Sequence, residues 1–231
     1  MLAPGWGEQT APPMLRLAAA LLVTVCLAPS MAATAPPLPA QALDGFPLLI
    51  NEVLIGLILG GGARLMMSAL QVAGATAGIA SGLGFAQQID PIANSSATIL
   101  SAFFSLMGVV LVMAAGLHRV MVEAAAQSYT VFPPGAMPPM GDLSTFAIDA
   151  VSSAFQLGIQ IAAPVLVFSL IFNISLGLVS RLIPQLQVFM VAMPASVLLG
   201  LAVIAMGLGG GLMAWLNEME REVRFMTVVA R

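Results

Sequence analysis

From Leu48 to about Ala86 the sequence is apolar almost without relief, and Asn51, Glu52, Arg64 and Gln71 are its strongly polar interruptions. An unbroken helix over that stretch would be roughly 60 Å long, against about 30 Å of hydrocarbon in a bilayer. The stretch is therefore either two short spans, with Arg64 where they meet, or one helix that outruns the membrane. Further apolar runs follow at Ala97–Leu117, Phe146–Leu178 and Phe189–Leu212. Only 7% of the chain is charged and 60% is hydrophobic, whereas a soluble domain carries roughly a quarter charged residues. Such a chain has too few polar groups to cover a globular surface and must face lipid or other apolar subunits. The expected class is all-α, a single polytopic membrane domain of long, partly broken helical hairpins.

The charges that remain exclude several functions. Seven arginines and no lysine stand against ten acidic residues, a formal net of −3, which is the wrong sign for nucleic acid. Cys26 and His118 are each the sole residue of their kind, so neither a disulfide nor a cysteine or histidine metal cluster is expected. Without lysine, GGGARL is no phosphate loop, and no Gly-x-Ser-x-Gly elbow occurs. The expectation is no enzyme, no metal and no cofactor.

Prolines and polar clusters set the organisation. Met14 onward imitates a cleavable signal peptide, but the hydrophobicity of the remainder favours a retained helix with a short core, Leu15–Ala28. Pro29 to Pro47 is a connector outside hydrocarbon, and Gln127 to Asp142 is a second loop. Pro164 is expected to break the Phe146–Leu178 run, Trp215 to anchor at an interface, and residues 215–231 to form a cytoplasmic tail rich in arginine.

Within the apolar runs, Gly74, Gly78 and Gly82 recur every fourth residue and stack on one helical face, allowing close backbone approach. Gly56 and Gly60 repeat the pattern one element earlier. This spacing serves packing within the chain or against neighbouring subunits. Glu52, Arg64, Asp90, Arg119 and Glu123 are charges inside or beside apolar runs, where an unpaired charge is costly. Arg119 and Glu123, four apart, are candidates to pair. Asp90 would need a second group in space to relay protons, and the sequence names none.

The run GLGFAQQIDP, Gly82 to Pro91, interrupts two apolar stretches with Gln87, Gln88 and Asp90. Pro91 disfavours helix at Asp90, and Ser95 or Ser96 can cap the helix that resumes near Ala97. The residues alone fit two readings equally. One is a hydrophilic turn outside the bilayer; the other is a re-entrant segment, tolerated only where buried in protein or lining a water-filled cavity.

Together with GLGFAQQIDP, the stretches NEVLIGLILGGGARLMMSALQVAG (Asn51–Gly74), GLHRVMVEAAAQSYTVFPPG (Gly116–Gly135) and PQLQVFMVAMPASVLLG (Pro184–Gly200) resemble, in order and spacing, the FliR family. That family supplies the single-copy membrane component of the type III export gate of bacterial flagella, with injectisome proteins as more distant relatives. The resemblance implies a fold like a fusion of two partner folds, assembled with five copies of one pore subunit, four of another and the autocleaving switch protein. It implies a passive conduit for unfolded flagellar proteins, in the bacterial inner membrane, with energy supplied elsewhere. It also implies that the segment 82–96 plugs the channel, with Phe85, Gln87, Gln88, Ile89, Asp90 and Pro91 as plug residues. Glu52, Arg64 and Arg119 are then secondary choices for intersubunit or intrahelical pairing.

The chain departs from the family pattern in three places. It opens at what resembles a hairpin turn, so part of a first helix is expected to be missing or its start misassigned. Ala195 and Ser196 stand where a lysine is common after Pro194, and Gln187 where asparagine is frequent. The competing reading is a secondary transporter whose discontinuous helices, at Pro164 and at Gly82–Pro91, surround a solute site. It requires matching broken segments in two repeats, and no such repeat is evident.

Overall fold

The computed structural model describes residue 4 and residues 12–31, 45–83, 99–132, 140–182 and 188–228. Every element among these is helical: α1 Pro13–Met31, α2 Gly45–Ala80, α3 Ile99–Ala114, α4 Leu117–Val131, α5 Met140–Leu182 and α6 Val188–Val228. The plug residues Phe85, Gln87, Gln88, Ile89, Asp90 and Pro91 lie outside the described residues.

The long runs resolve into unbroken helices. α2 has 36 residues, α5 has 43 and α6 has 41, so the shortest is about 54 Å long at 1.5 Å per residue. Among the described residues three helices are long and apolar enough to cross a membrane, and the α3–α4 pair, bent by 71°, makes up to four. The chain is thus a polytopic membrane protein. Only 39% of the apolar window of α2, and 11% of those of α5 and α6, is buried within the chain. Most of their apolar surface must therefore meet lipid or another subunit.

Three expectations about the elements change. Pro164 does not break the third run: α5 passes through it. Its ring lies beside Gly207 of α6, where a Cβ would stand 3.9 Å from the proline Cγ. A neighbouring helix that packs the ring supports a proline inside a membrane helix despite the lost backbone bond. The loop after α4 is shorter than Gln127–Asp142, because α4 runs to Val131 and α5 begins at Met140. Trp215 is no interfacial anchor; with Met219 and Val223 it is fully buried, three residues spaced by four on one face of α6.

The bend between α3 and α4 has one cause. Gly116 adopts φ 72 and ψ 12, the left-handed conformation in which glycine ends helices without a side-chain penalty. Its N–H bonds the Met113 carbonyl at 3.2 Å, and its own carbonyl accepts from Arg119 N at 3.0 Å. One residue thus closes α3 and opens α4. The apolar run ends where Ala97–Leu117 predicted, and a second helix continues the chain from that point.

The chain divides into two compact units. One comprises residues 1–67, 109–153 and 216–231, and the other 68–108 and 154–215. In the first unit α1 packs on α4, and Ile55, Ala63, Met66, Val112, Leu117 and Ala124 are buried. In the second unit the C-terminal part of α2 is the central helix. Its Ala69, Leu70, Ala73 and Ala77 are buried, and α3, α5 and α6 all pack against it through glycines.

Candidate functional site: the helix end that carries the polar segment

In the second unit, the C-terminal part of α2 is held at three crossings where backbones nearly touch. A Cβ on Gly74 would lie 2.5 Å from Ser101 Cα, 2.7 Å from Ser101 N and 2.8 Å from the Leu100 carbonyl oxygen of α3. Ser101 Oγ donates to the Gln71 carbonyl at 3.1 Å across the same crossing. On α5, a Cβ on Gly158 would lie 2.9 Å from the Ala69 carbonyl oxygen and 3.1 Å from Val72 Cβ. On α6, a Cβ on Gly200 would lie 2.6 Å from Ser81 Cβ. Small residues at membrane helix contacts permit this approach, because packing and not water exclusion drives association there.

The helix ends at Ser81–Gly82. Ser81 N–H bonds the Ala77 carbonyl at 2.9 Å, and its buried Oγ donates to the Gly78 carbonyl at 3.1 Å. Gly82 has φ +85, and a Cβ there would meet Ser196 Oγ of α6 at 3.0 Å. A left-handed residue of this kind costs an L side chain roughly 1–2 kcal/mol, so glycine is the natural terminator. Two constraints therefore coincide at the root of the polar segment: the backbone turns out of the helix at Gly82, and α6 clamps the last turn through Ser81. From Gly74 to Gly82 the helix runs about 12 Å beyond its crossing with α3.

The expected packing glycines fall into different surroundings. Gly74 stands at a backbone crossing, Gly78 is buried and accepts from Ser81, and Gly82 is the terminator. Gly60 is half-buried, while Gly56 is exposed with open space where a Cβ would stand. Among the described residues Gly56 makes no close approach.

Glu52, Arg64, Arg119 and Glu123 belong to the first unit. Glu52 of α2 accepts a hydrogen bond from the Tyr129 phenol of α4, and Arg64 is half-buried. Among the described residues no ion pair joins Arg119 to Glu123, and both are exposed. The Glu123 carboxylate accepts instead from Gln127 Nε2 at 3.0 Å. The helical order explains this: an acid four residues before a base pairs better than the reverse. α6 shows the favoured order, with Arg224 bridging to Glu220 at 2.8 Å and Arg221 to Glu218 at 3.0 Å. Among the described residues no group of three or more histidine, cysteine or acidic side chains is placed to hold a metal. An apolar cavity of about 10 Å³ in the second unit, lined by Ala77, Phe104, Pro164 and Ile204 among others, has room for no more than about one water molecule.

Sequence reasoning missed Tyr129, Ser81, Gly158 and Gly200. Tyr129 was hidden in an expected loop. The two glycines lie outside the every-fourth-residue pattern, and their partners are distant in the chain. Gly200, closing the PQLQVFMVAMPASVLLG stretch, had the only visible signal.

The family model described as "Bacterial export proteins, family 1" matches residues 1–221. The flagellar biosynthetic protein FliR of Caulobacter vibrioides is 42% identical over 218 residues, covering 94% of this chain and 87% of its own. The protein of the same name from Escherichia coli is 26% identical over 203 residues, covering 88% and 77%. That of Aquifex aeolicus is 32% identical over 159 residues, covering 69% and 61%. With a family model across nearly its whole length, and a helical membrane architecture to match, the chain belongs to the FliR family of bacterial flagellar export proteins.

Proposed function

We propose that this chain is the single-copy FliR subunit of a flagellar type III export gate, and that its segment 82–96 plugs the channel. One observation carries the plug reading: α2 is terminated by left-handed Gly82 and clamped by α6 at the place where the polar GLGFAQQIDP segment leaves it. A plug must resist displacement at its root while its tip yields to a passing chain. The backbone crossings at Gly74, Gly158 and Gly200 supply a stiff root. Gln87 and Gln88 are polar side chains without fixed charge, which suits an unfolded polypeptide that must slide past without being bound. The subunit acts as a conduit component and performs no covalent chemistry.

The partners in this reading are the two other pore-subunit types of the gate, the autocleaving switch protein and unfolded flagellar substrates, with lipid around the assembly. The extensive apolar surface that α5 and α6 leave uncovered supports a subunit built to be clothed by partners and membrane. The fold then corresponds to the two partner folds fused in one chain, and residues 215–231, with Arg221, Arg224 and Arg231, face the cytoplasm of the inner membrane. Against a secondary transporter, α5 runs through Pro164 without a break, which removes one of the two discontinuities that reading needs.

The test is deletion of Gln87–Pro91 in cells carrying the remaining gate subunits. The gate should assemble at wild-type yield and conduct ions in planar bilayers when no substrate is present. Wild-type conductance from a fully assembled deletion gate would remove the plug role.

A further inference from the structure

Two weak points face each other across α5 and α6. On α5, Pro164 leaves the Gln160 carbonyl without its backbone donor. On α6, glycine fills positions 207, 209, 210 and 211. The two lie opposite one another: a Cβ on Gly207 would stand 3.9 Å from Pro164 Cγ, and one on Gly211 would stand 3.1 Å from Ile161 Cγ2. Close packing accounts for Gly211 and not for its neighbours. Among the described residues nothing lies within 4 Å of a Cβ placed on Gly209 or Gly210, and neither has a left-handed φ. Both are nevertheless the poorest helix former after proline.

The joint separates two unlike halves of the α5–α6 pair. On its near side both helices are seated: Ala154, Leu157, Ala162 and Val165 of α5 are buried, as are Leu212 and Trp215 of α6. On its far side no residue of α5 from Leu166 to Leu182 is buried within the chain, and in α6 from Ala192 to Met206 only Ala192, Gly200 and Ile204 are. Low contact density of this kind marks a region that opens at little cost. An apolar cavity adjoins the joint, with Pro164, Val165, Ile204 and Gly207 in its wall. A packing defect there lowers the resistance to a change of tilt.

The loosely held far half is the part that clamps the end of α2, through Gly200 on Ser81 and Ser196 beside Gly82. Ser196 lies about 16 Å along α6 from Gly207. A tilt of about 10° at the joint, well within the kinks that proline and glycine permit, would carry it about 3 Å and part it from Gly82. The crossings at Gly74 and Gly158 lie on the seated side and would stay closed. We infer that Pro164 and Gly207–Gly211 form a hinge on which the far half of the α5–α6 pair swings, clamping the end of α2 at rest and releasing it when a polypeptide passes. Its role in export rests on the plug reading.

The experiment uses the whole chain expressed with the remaining gate subunits. In a Cys26→Ser background, nitroxide labels go on Ile79→Cys and Leu178→Cys, both exposed positions. Double electron–electron resonance compares the empty gate with one holding an export substrate stalled by a fused folded domain. Leu178 lies about 21 Å along α5 from Pro164, so a tilt of about 10° should shift the distance by roughly 4 Å on loading. Gly209→Ala/Gly210→Ala should assemble at wild-type yield, since neither position meets a clash. It should reduce both the shifted population and export about tenfold, the scale set by the helix propensity of two alanines over two glycines.

A distance unchanged by loading overturns the hinge, and so does a shift that the alanines leave undiminished. A fall in assembled gate would mean that Gly209 and Gly210 serve contact with a neighbour, and the hinge would again be wrong. A shift on loading in a gate that stays sealed without Gln87–Pro91 upholds the hinge and removes the plug instead.

Discussion

Replacing Gly74 by alanine places a methyl carbon 2.5 Å from Ser101 Cα, 2.7 Å from Ser101 N and 2.8 Å from the Leu100 oxygen. Non-bonded carbons rest about 3.5–4.0 Å apart, so α2 and α3 must part by roughly 1 Å. The obstructing atoms are all backbone, and no side chain can swing aside. Nor can α2 retreat, because Ala69 and Val72 on its other side already crowd Gly158 of α5. Overpacking at such a site costs about 3 kcal/mol, the upper part of the usual range. Loss of the Ser101–Gln71 bond adds about 1 kcal/mol, and alanine's better helix propensity returns about 1 kcal/mol. The net is about 3 kcal/mol of destabilisation, roughly a hundredfold in the folding equilibrium.

Gly56→Ala is the matched control. It lies in the same helix with open space at the Cβ position, so it keeps the propensity gain of up to about 1 kcal/mol and meets no clash within the chain. The assay is heating of the purified chain in detergent, followed by size-exclusion chromatography of the surviving monodisperse fraction. Gly74→Ala should lower the midpoint by roughly 6–12 °C, by the scaling for chains of this size, and Gly56→Ala should leave it unchanged or higher. Equal midpoints for the two variants would show that the close crossing does not hold the second unit together.

Gly82→Ala forces a side chain into φ +85 beside Ser196. It should cost about 1–2 kcal/mol, with Gly82→Asn milder, read as midpoint shifts smaller than that of Gly74→Ala. Tyr129→Phe strips the donor from half-buried Glu52; a loss of about 1–3 kcal/mol is expected. A double-mutant cycle with Glu52→Gln should show that the two positions are coupled, and additive effects would dissolve the pair. Trp215→Ala empties a fully buried site and should destabilise the chain by about 3–5 kcal/mol in thermal unfolding. A stable variant that merely sits at a different depth would restore the anchor reading.

Much of the architecture was legible in residue order. A chain with so few charges had to be a set of membrane helices, because nothing else in it can satisfy backbone groups away from water. Prolines and polar clusters marked the connectors, though helices ran past them: α4 absorbed Tyr129, and α5 absorbed Pro164. The end of α2 was misplaced: residue order put Gly82 on the packing face of the helix and the stop near Asp90–Pro91, whereas Gly82 turns left-handed just after Ala80. At the Gln87–Asp90 interruption, local chemistry left turn and plug level, and only the family's shared motifs separated them.

Helical periodicity tells which residues share a face, and that much the sequence determined: Gly74 above Gly78, Arg119 before Glu123. It does not tell what lies opposite a face. Gly56 and Gly74 read alike along the chain, yet one looks into open space and the other touches the backbone of α3. Arg119 and Glu123 had the spacing of a pair, but Gln127 took the carboxylate. Trp215 had the position of an anchor and is buried, and Glu52 found Tyr129 on another helix. Each of these outcomes depends on contacts between residues far apart in the chain, and the tertiary structure alone brings those residues together.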